Sequence, residues 1–254
     1  MTVTIPSLFP RPPTILAICA TIALAAGCTR PSAPVAMNDP YETENRAMHA
    51  FNVAADRNVI KPVATAIGGK GGGPVQVSVS NFANNLALPG DILNSVLQLR
   101  LGKAVENTLR FGVNSTIGLA GIFDPATAAG VPGKKTDFGE TLHVWGVGEG
   151  AYIELPFLGP STQRDALGEV VDSFINPVGL LLSPPESYIG TAARIASKIS
   201  DRSRYSDTYD SVLYDSADGY AQARLLYLQN RRFELGQTTE DAGYIDPYED
   251  PYAE

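Results

Sequence analysis

The stretch Asp137–Asp165, DFGETLHVWGVGEGAYIELPFLGPSTQRD, constrains the fold more than any other part of the chain. It carries the sole tryptophan, Trp145, together with Gly139, Gly146, Gly148, Gly150 and Gly159, and it separates two halves with helical patterning. Glycine accepts backbone angles and close approaches that other residues do not. Glycines set among an aromatic and several aliphatics therefore predict a buried corner where backbone segments pass closely. Arg164 and Asp165, at its end, are expected to hold the following helix against that corner.

The flanking halves read as helices. Asp39-Pro40 is expected to open the first helix, with Asp39 as N-cap and Pro40 at the first turn. Met48, Phe51, Ala55 and Val59 make an apolar stripe expected to face a core, opposite a polar side with Glu42, Asn45, Arg46 and Asp56. Lys61-Pro62 should stop or kink this helix, and GGKGGGP (68–74) reads as a loop. Residues 75–86 fit strand alternation through Val75, Val77 and Val79 but helical spacing through Val79, Phe82, Ala83 and Leu86, and helix is the reading adopted. Pro89 and Asp91 are expected to restart a helix through Leu99. Residues 103–117 predict another, with Val105, Leu109, Val113 and Ile117 on one side.

GLAGIFDPATAAGVPG then reads either as a turn packed in the core or as a short apolar hairpin dipping into a membrane. After the glycine stretch, Ser161 or Thr162 can cap a helix carrying Ala166, Leu167, Val170, Val171 and Phe174, ended by Asn176-Pro177. Val178–Leu182 is a compact apolar run. Residues 188–200 predict a helix with Ile189, Ala192, Ile195, Ala196 and Ile199 inward, and a last long helix is expected over about 203–235.

The first residues read as a secretory leader. Arg11 is their sole charge, and the apolar run Ile15–Ala26 falls short of the roughly 20 residues that span a bilayer. The ending Leu24-Ala25-Ala26-Gly27-Cys28 resembles the lipobox of bacterial lipoproteins, which implies cleavage before Cys28 and its acylation. Cys19 lies inside the leader, so Cys28 is left without an internal disulfide partner. The chain then divides into a signal peptide (1–27), an acylated tether (28–38), a helical domain (39–236) and an acidic, disordered tail (237–254).

Charge and motif content narrow the function classes. A net charge of −8 argues against general affinity for nucleic acid. The two histidines, His49 and His143, form no metal-ligand pattern, and Ser161 in GPST is not a nucleophile elbow. Neither a cofactor nor a metal is expected, and the chain reads as no enzyme. Polar residues on mixed helix faces stand out instead: Asn45, Arg46, Asn52, Asp56, Asn81, Asn84, Asn85, Asn94, Asn107, Asn114 and Asp165. They fit either interhelical hydrogen bonding or the wet wall of an amphipathic passage.

Taken in order, DPYETENRAMHAFN, KPVA, SNFANNL, LRFGVNSTIGLAGIFD, the glycine-rich stretch and YLQNRR resemble the MlaA/VacJ lipoproteins from about Asp39 to Arg232. Glu44 and His143 depart from residues common in that family. The resemblance implies a mainly α, single ring-like domain with an amphipathic channel, held at the inner leaflet of the outer membrane through Cys28. It implies removal of misplaced phospholipids from the outer leaflet and delivery to a periplasmic carrier, with a trimeric porin as a partner; the alternative is a scaffold for a porin or envelope complex. Asn45, Arg46, Asn52, Asp56, Asn81, Asn85 and Asn114 are then expected to line the channel or form its polar network. The resemblance places a gating hairpin at Ile117, Leu119, Ile122, Phe123 and Val131, and Trp145 and Tyr152 near the bilayer interface.

Overall fold

The computed structural model describes residues 37–68, 73–175, 185 and 188–237, to which all that follows refers. The expectations for the leader, Cys28, most of the tether, the glycine loop at 69–72, the apolar run 178–182 and the tail beyond 237 lie outside them.

The fold is mainly helical. Helix α1 (Glu42–Ala55) passes through a π-helical turn (Asp56–Ile60) into α2 (Lys61–Gly68). Pro62 lacks an N–H and its ring would collide with the carbonyl four residues back in a regular helix. The widened turn just before it, closed by the Lys61 N–H on the Asp56 carbonyl, absorbs that conflict, so the helix continues where a stop or kink was expected. Asp39 is not the N-cap. Tyr41 occupies that position, while the Asp39 carboxylate accepts hydrogen bonds from Asn45, Tyr220 and Arg224.

Helix α3 (Pro74–Leu97) runs unbroken across Pro89, joining the two helices expected there. Losing one ladder bond at Pro89 costs about 3 kcal/mol. The packing of α4 (Leu101–Thr116) and α8 (Ile189–Arg204) along α3 outweighs it. Between α4 and the glycine stretch lies the single-turn α5 (Pro125–Ala128), capped by the Asp124 side chain, which accepts from the Thr127 N–H.

The stretch 137–165 folds into α6 (Phe138–Val144) and an antiparallel hairpin of β1 (Tyr152–Leu155) and β2 (Gly159–Thr162), pairing Tyr152 with Thr162 and Leu155 with Gly159. The strands were not anticipated. Thr162 does cap the next helix, α7 (Gln163–Ile175), accepting from the Asp165 N–H at 3.2 Å. The close passage lies between α6 and α7, where a Cβ on Gly168 would sit 2.7 Å from the Gly139 Cα and clash with the Gly139 nitrogen. Gly146 closes α6 with φ +86, its neighbour Val147 bonding back to the Leu142 carbonyl. Nothing in the structure requires glycine at 148. Because backbone cannot yield as a side chain can, Gly168→Ala is expected to cost at least about 3 kcal/mol by denaturant titration. Gly190→Ala, in open space on α8, should cost nothing measurable.

The long helix expected over 203–235 is three pieces: the end of α8, α9 (Ser206–Leu213) and α10 (Gly219–Glu234). Asp218 caps α10 by accepting from the Ala221 N–H at 3.0 Å, which fixes the break. Tyr220, Tyr227 and Leu228 of α10 pack around Tyr152, which is 1% exposed and so belongs to the core rather than to an interface.

Burial is inverted relative to a water-soluble helical protein. Among the described residues nineteen polar side chains are buried against eleven apolar ones, five of which are alanine. On α1 the buried residues are Asn45 and His49, while Phe51 and, beyond the helix, Val59 are exposed. On α4 Ala104, Asn107 and Asn114 point in, and Leu101, Val105 and Leu109 point out. On α8 Ala193 and Ser200 are buried, whereas Ile189 and Ile195 are exposed. The stripes expected to face inward on α1 and α8 are thus turned outward at Phe51, Val59, Ile189 and Ile195, with Met48, Ala55 and Ile199 half-buried. Helical periodicity separates two faces of a helix; assigning the apolar one to the core assumes that water is the surrounding medium. No described helix is long and apolar enough to cross a membrane.

Candidate functional site

Two adjoining cavities, of about 390 and 620 Å³, open between α3, α6, α7 and α10. They share Ala87, Asp91, Thr136, Asp137, Arg231 and Glu234 in their walls. Helix α3 presents one face to them, because Ala87, Asp91 and Asn94 recur at helical spacing. The smaller cavity is closed on its other side by Asp165 and Asp172 of α7, and the larger by Lys103 and Arg110 of α4 with Lys134 and Lys135.

Arg231 is the hub. Its guanidinium donates to Asp137 at 2.7 and 2.9 Å and to Asp165 at 3.0 and 3.1 Å, joining α10 to the starts of α6 and α7. Tyr227 adds a hydrogen bond to Asp165 at 2.8 Å. Burial alone would raise the Asp165 carboxyl, yet Arg231, Arg164 and Tyr227 hold it below the usual carboxylate range. Glu140 follows the same pattern, with Thr136, Arg100 and Lys103 overcoming its burial. Arg231 loses hydration, but its two carboxylates keep it charged.

Asp91 and Asp172 behave oppositely. Burial pushes Asp91 up to about 7, only partly opposed by the Thr136 N–H at 3.4 Å and the charge of Lys135. Burial also raises Asp172, although Asn94 at 2.8 Å and the Phe138 N–H at 2.9 Å donate to it. Neither carboxylate has a cation within ion-pair distance among the described residues.

Of the residues singled out from sequence, Asn84, Asn94 and Asp165 line these cavities, and the others fall elsewhere. Asn45 grips β1, donating to the Tyr152 carbonyl and accepting from the Glu154 N–H at 2.9 Å, and Asn52 bonds Glu154, Leu155 and the Phe157 N–H. Arg46 pairs with Glu42 and Asp218 near the surface. Asp56 is clasped by Arg202 at 2.8 to 3.1 Å and by Tyr214 at 2.6 Å. Asn52 and Asp56 line a separate cavity of about 420 Å³ with His49 and Glu154.

Asn81, Asn85 and Asn114 fasten the 117–131 segment. They donate to the Ile122 carbonyl, the Ala120 carbonyl and Asp124, and Asn114 also accepts from the Ala126 N–H. That segment is an irregular turn followed by α5, with Leu119 and Ala120 at φ 51 and 59 and Gly121 packed on the Asn85 side chain. Its backbone is thus tied down while Ile117, Leu119, Ile122 and Phe123 stay exposed; Val131 is half-buried. Trp145 is exposed too, donating to the Leu97 carbonyl at 3.2 Å. In the corner, Gly139 faces Asp165 and Arg231, Gly150 (φ +77) packs on Gln163, and Gly159 (φ +83) starts β2. Arg164 is buried and donates to Asp165.

Asp91, Asp137, Asp172 and Arg231 were not selected from the sequence. Asp91 was read as a helix start because Pro89 precedes it. The available signal was Asn84, Ala87, Asp91 and Asn94, a polar and small-residue stripe at helical spacing along α3.

Comparison with known proteins bears on what this arrangement does. The family model described as MlaA lipoprotein matches residues 37–234. This chain belongs to the MlaA lipoprotein family. The Escherichia coli (strain K12) MlaA, an intermembrane phospholipid transport system lipoprotein, is 32% identical over 221 residues, 85% of this chain and 84% of its own length. The Haemophilus influenzae MlaA is 30% identical over 202 residues, covering 78% and 79% of the two chains. A solved structure described as "Structural basis for maintenance of bacterial outer membrane lipid asymmetry" superposes with a TM-score of 0.67 at 29% identity, covering 78% of this chain and 98% of its own. MlaA proteins are thus membrane-associated lipoproteins of lipid transport, and this chain shares their mainly helical fold.

Proposed function

We propose that this protein extracts mislocalised phospholipids from the outer leaflet of the outer membrane and passes them to a soluble periplasmic carrier, maintaining lipid asymmetry. The observation that carries this reading is the inverted burial: aliphatic side chains outward, hydrogen-bonded polar side chains and a charged cavity inward. A lipid moving head-first needs a polar route for its head. Its tails must stay against apolar surface, since each CH₂ exposed to water costs about 0.8 kcal/mol. Kinship with MlaA proteins named for phospholipid transport supports the same reading.

Cys28 carries the lipid anchor that keeps the body at the inner leaflet of the outer membrane, and three acyl chains make that attachment essentially permanent. The exposed stripe of α4 and the 117–131 turn meet lipid or a porin trimer. The protein does no covalent chemistry; net flow comes from the lipid gradient or from its partners. Deleting the gene is expected to raise outer-leaflet phospholipid and detergent sensitivity. An intact barrier with an unchanged outer leaflet would refute the proposal. A scaffold role predicts instead that cavity substitutions leave asymmetry normal while loss of the whole protein does not.

The exposed apolar turn gives a sharper case. Phe123 is 56% exposed, so Phe123→Asp removes little core packing. The variant should keep its helical circular dichroism and melting temperature while losing complementation of the deletion strain. Parallel loss of helical signal and complementation would mean that Phe123 serves the fold.

A further inference from the structure

The joined cavities divide their charge. In the smaller one Arg231 is shared by Asp165, Asp137 and Glu234, while Asp91, Asp172 and Glu169 have no cation within ion-pair distance among the described residues. Arg194 shares that wall and acts on Asp172 only through space. In the larger cavity Arg110 is committed to Asp124, Lys103 approaches Glu140 at 3.5 Å, and Lys134 stands 3.9 Å from Glu106. Lys135, in the same wall, has no carboxylate within ion-pair distance among the described residues.

The half-buried carboxylates of Asp91 and Asp172 and the exposed ammonium of Lys135, none of them in an ion pair among the described residues, therefore border adjoining cavities, with Asp91 in the wall of both. Removing a lone carboxylate from water is costly unless a cation accompanies it. A ligand bearing its own cation relieves that cost, and one bearing an anion beside the cation also meets Lys135. We propose that this cavity selects zwitterionic phospholipids, with the head-group ammonium received by Asp91 and Asp172 and the phosphate by Lys135, assisted by Lys103 and Lys134. The inference rests on the lipid-transfer reading above and adds the head-group class. A head group with a phosphate but no ammonium satisfies the lysines, leaves the carboxylates unpaired, and brings its negative charge towards them.

The test uses the full-length lipoprotein, loaded in detergent from an equimolar mixture of phosphatidylethanolamine, N-acetylated phosphatidylethanolamine and phosphatidylglycerol. The retained lipids are quantified by mass spectrometry. The expected result is at least about fivefold enrichment of phosphatidylethanolamine over both others, a difference of about 1 kcal/mol. Asp91→Asn with Asp172→Asn should bring the three lipids to equal retention, and Lys135→Gln should lower all three together. Circular dichroism on each variant confirms that the substitutions leave the fold in place. Equal retention by the unaltered protein, or enrichment that survives the double substitution, overturns the head-group inference while leaving lipid transfer standing. Retention of no phospholipid at all overturns both.

Discussion

Replacing Arg231 with methionine will destabilise the protein by about 3–5 kcal/mol, the largest effect expected of any single side chain here. The guanidinium is nearly buried and bridges Asp137 and Asp165, so its removal leaves the Asp165 carboxylate, only 9% exposed, with Arg164 and Tyr227 as its remaining partners and uncouples α10 from α6 and α7. For a chain of this size the loss corresponds to roughly 10 °C in melting temperature. Arg231→Lys should recover only part of it, because an ammonium cannot present paired donors to two carboxylates. Acid should narrow the gap. The Asp165 pKa is depressed in the intact protein, so its stabilisation is present above the unfolded carboxylate range and lost as pH falls through the folded value. A cost below about 1 kcal/mol, or one independent of pH, would show that the hub behaves as an exposed ion pair.

Asp91→Asn should act in the opposite direction. The Asp91 carboxyl titrates near 3.8 when unfolded and at about 7 in the folded protein. Between those values the folded state holds a proton that the unfolded state has released, so stability falls as pH rises across that interval and stays reduced above it. The ceiling on this penalty is about 4 kcal/mol. Because Asp91 is only half-buried, solvent screening lowers it to about 2 kcal/mol. Asparagine can still accept from the Thr136 N–H and carries no charge, so the variant should be more stable than the parent at pH 8 by about that amount and indistinguishable at pH 4. It should also weaken the preference for phosphatidylethanolamine, the familiar exchange of stability for function at a working site. Equal stability at pH 8 would mean that Asp91 is solvated as at a surface.

These two residues show how far the sequence could be read. Helices were legible from spacing, the glycine stretch from composition, and the family from its ordered motifs. The direction of the apolar stripes was not, because Phe51 and Val59, or Ile189 and Ile195, have the same period whether the medium outside is water or lipid. Asp91 was hidden by Pro89, whose local signal for a helix boundary was overridden by packing along α3. Arg231 lies in the recognised YLQNRR, yet its partners are 66 and 94 residues distant, a pairing that no local pattern encodes. Conversely, Asn85 and Asn114 were conspicuous as polar residues on helix faces, and the structure shows them holding backbone of the 117–131 segment. Asparagine, with donor and acceptor on one short side chain, suits that task wherever backbone must be satisfied away from water.

The central claim is that lipid head groups pass through the charged interior while the aliphatic exterior faces the membrane. A photoreactive residue at Ala87, in the wall shared by both cavities, and another at Val105, on the outward face of α4, test it in living cells. The account predicts phospholipid adducts from both positions, with those at Ala87 reduced when Lys135→Gln and Asp172→Asn are introduced and those at Val105 unchanged. Adducts at Val105 with none at Ala87 would contradict it, leaving a protein that touches the membrane but carries nothing through its core.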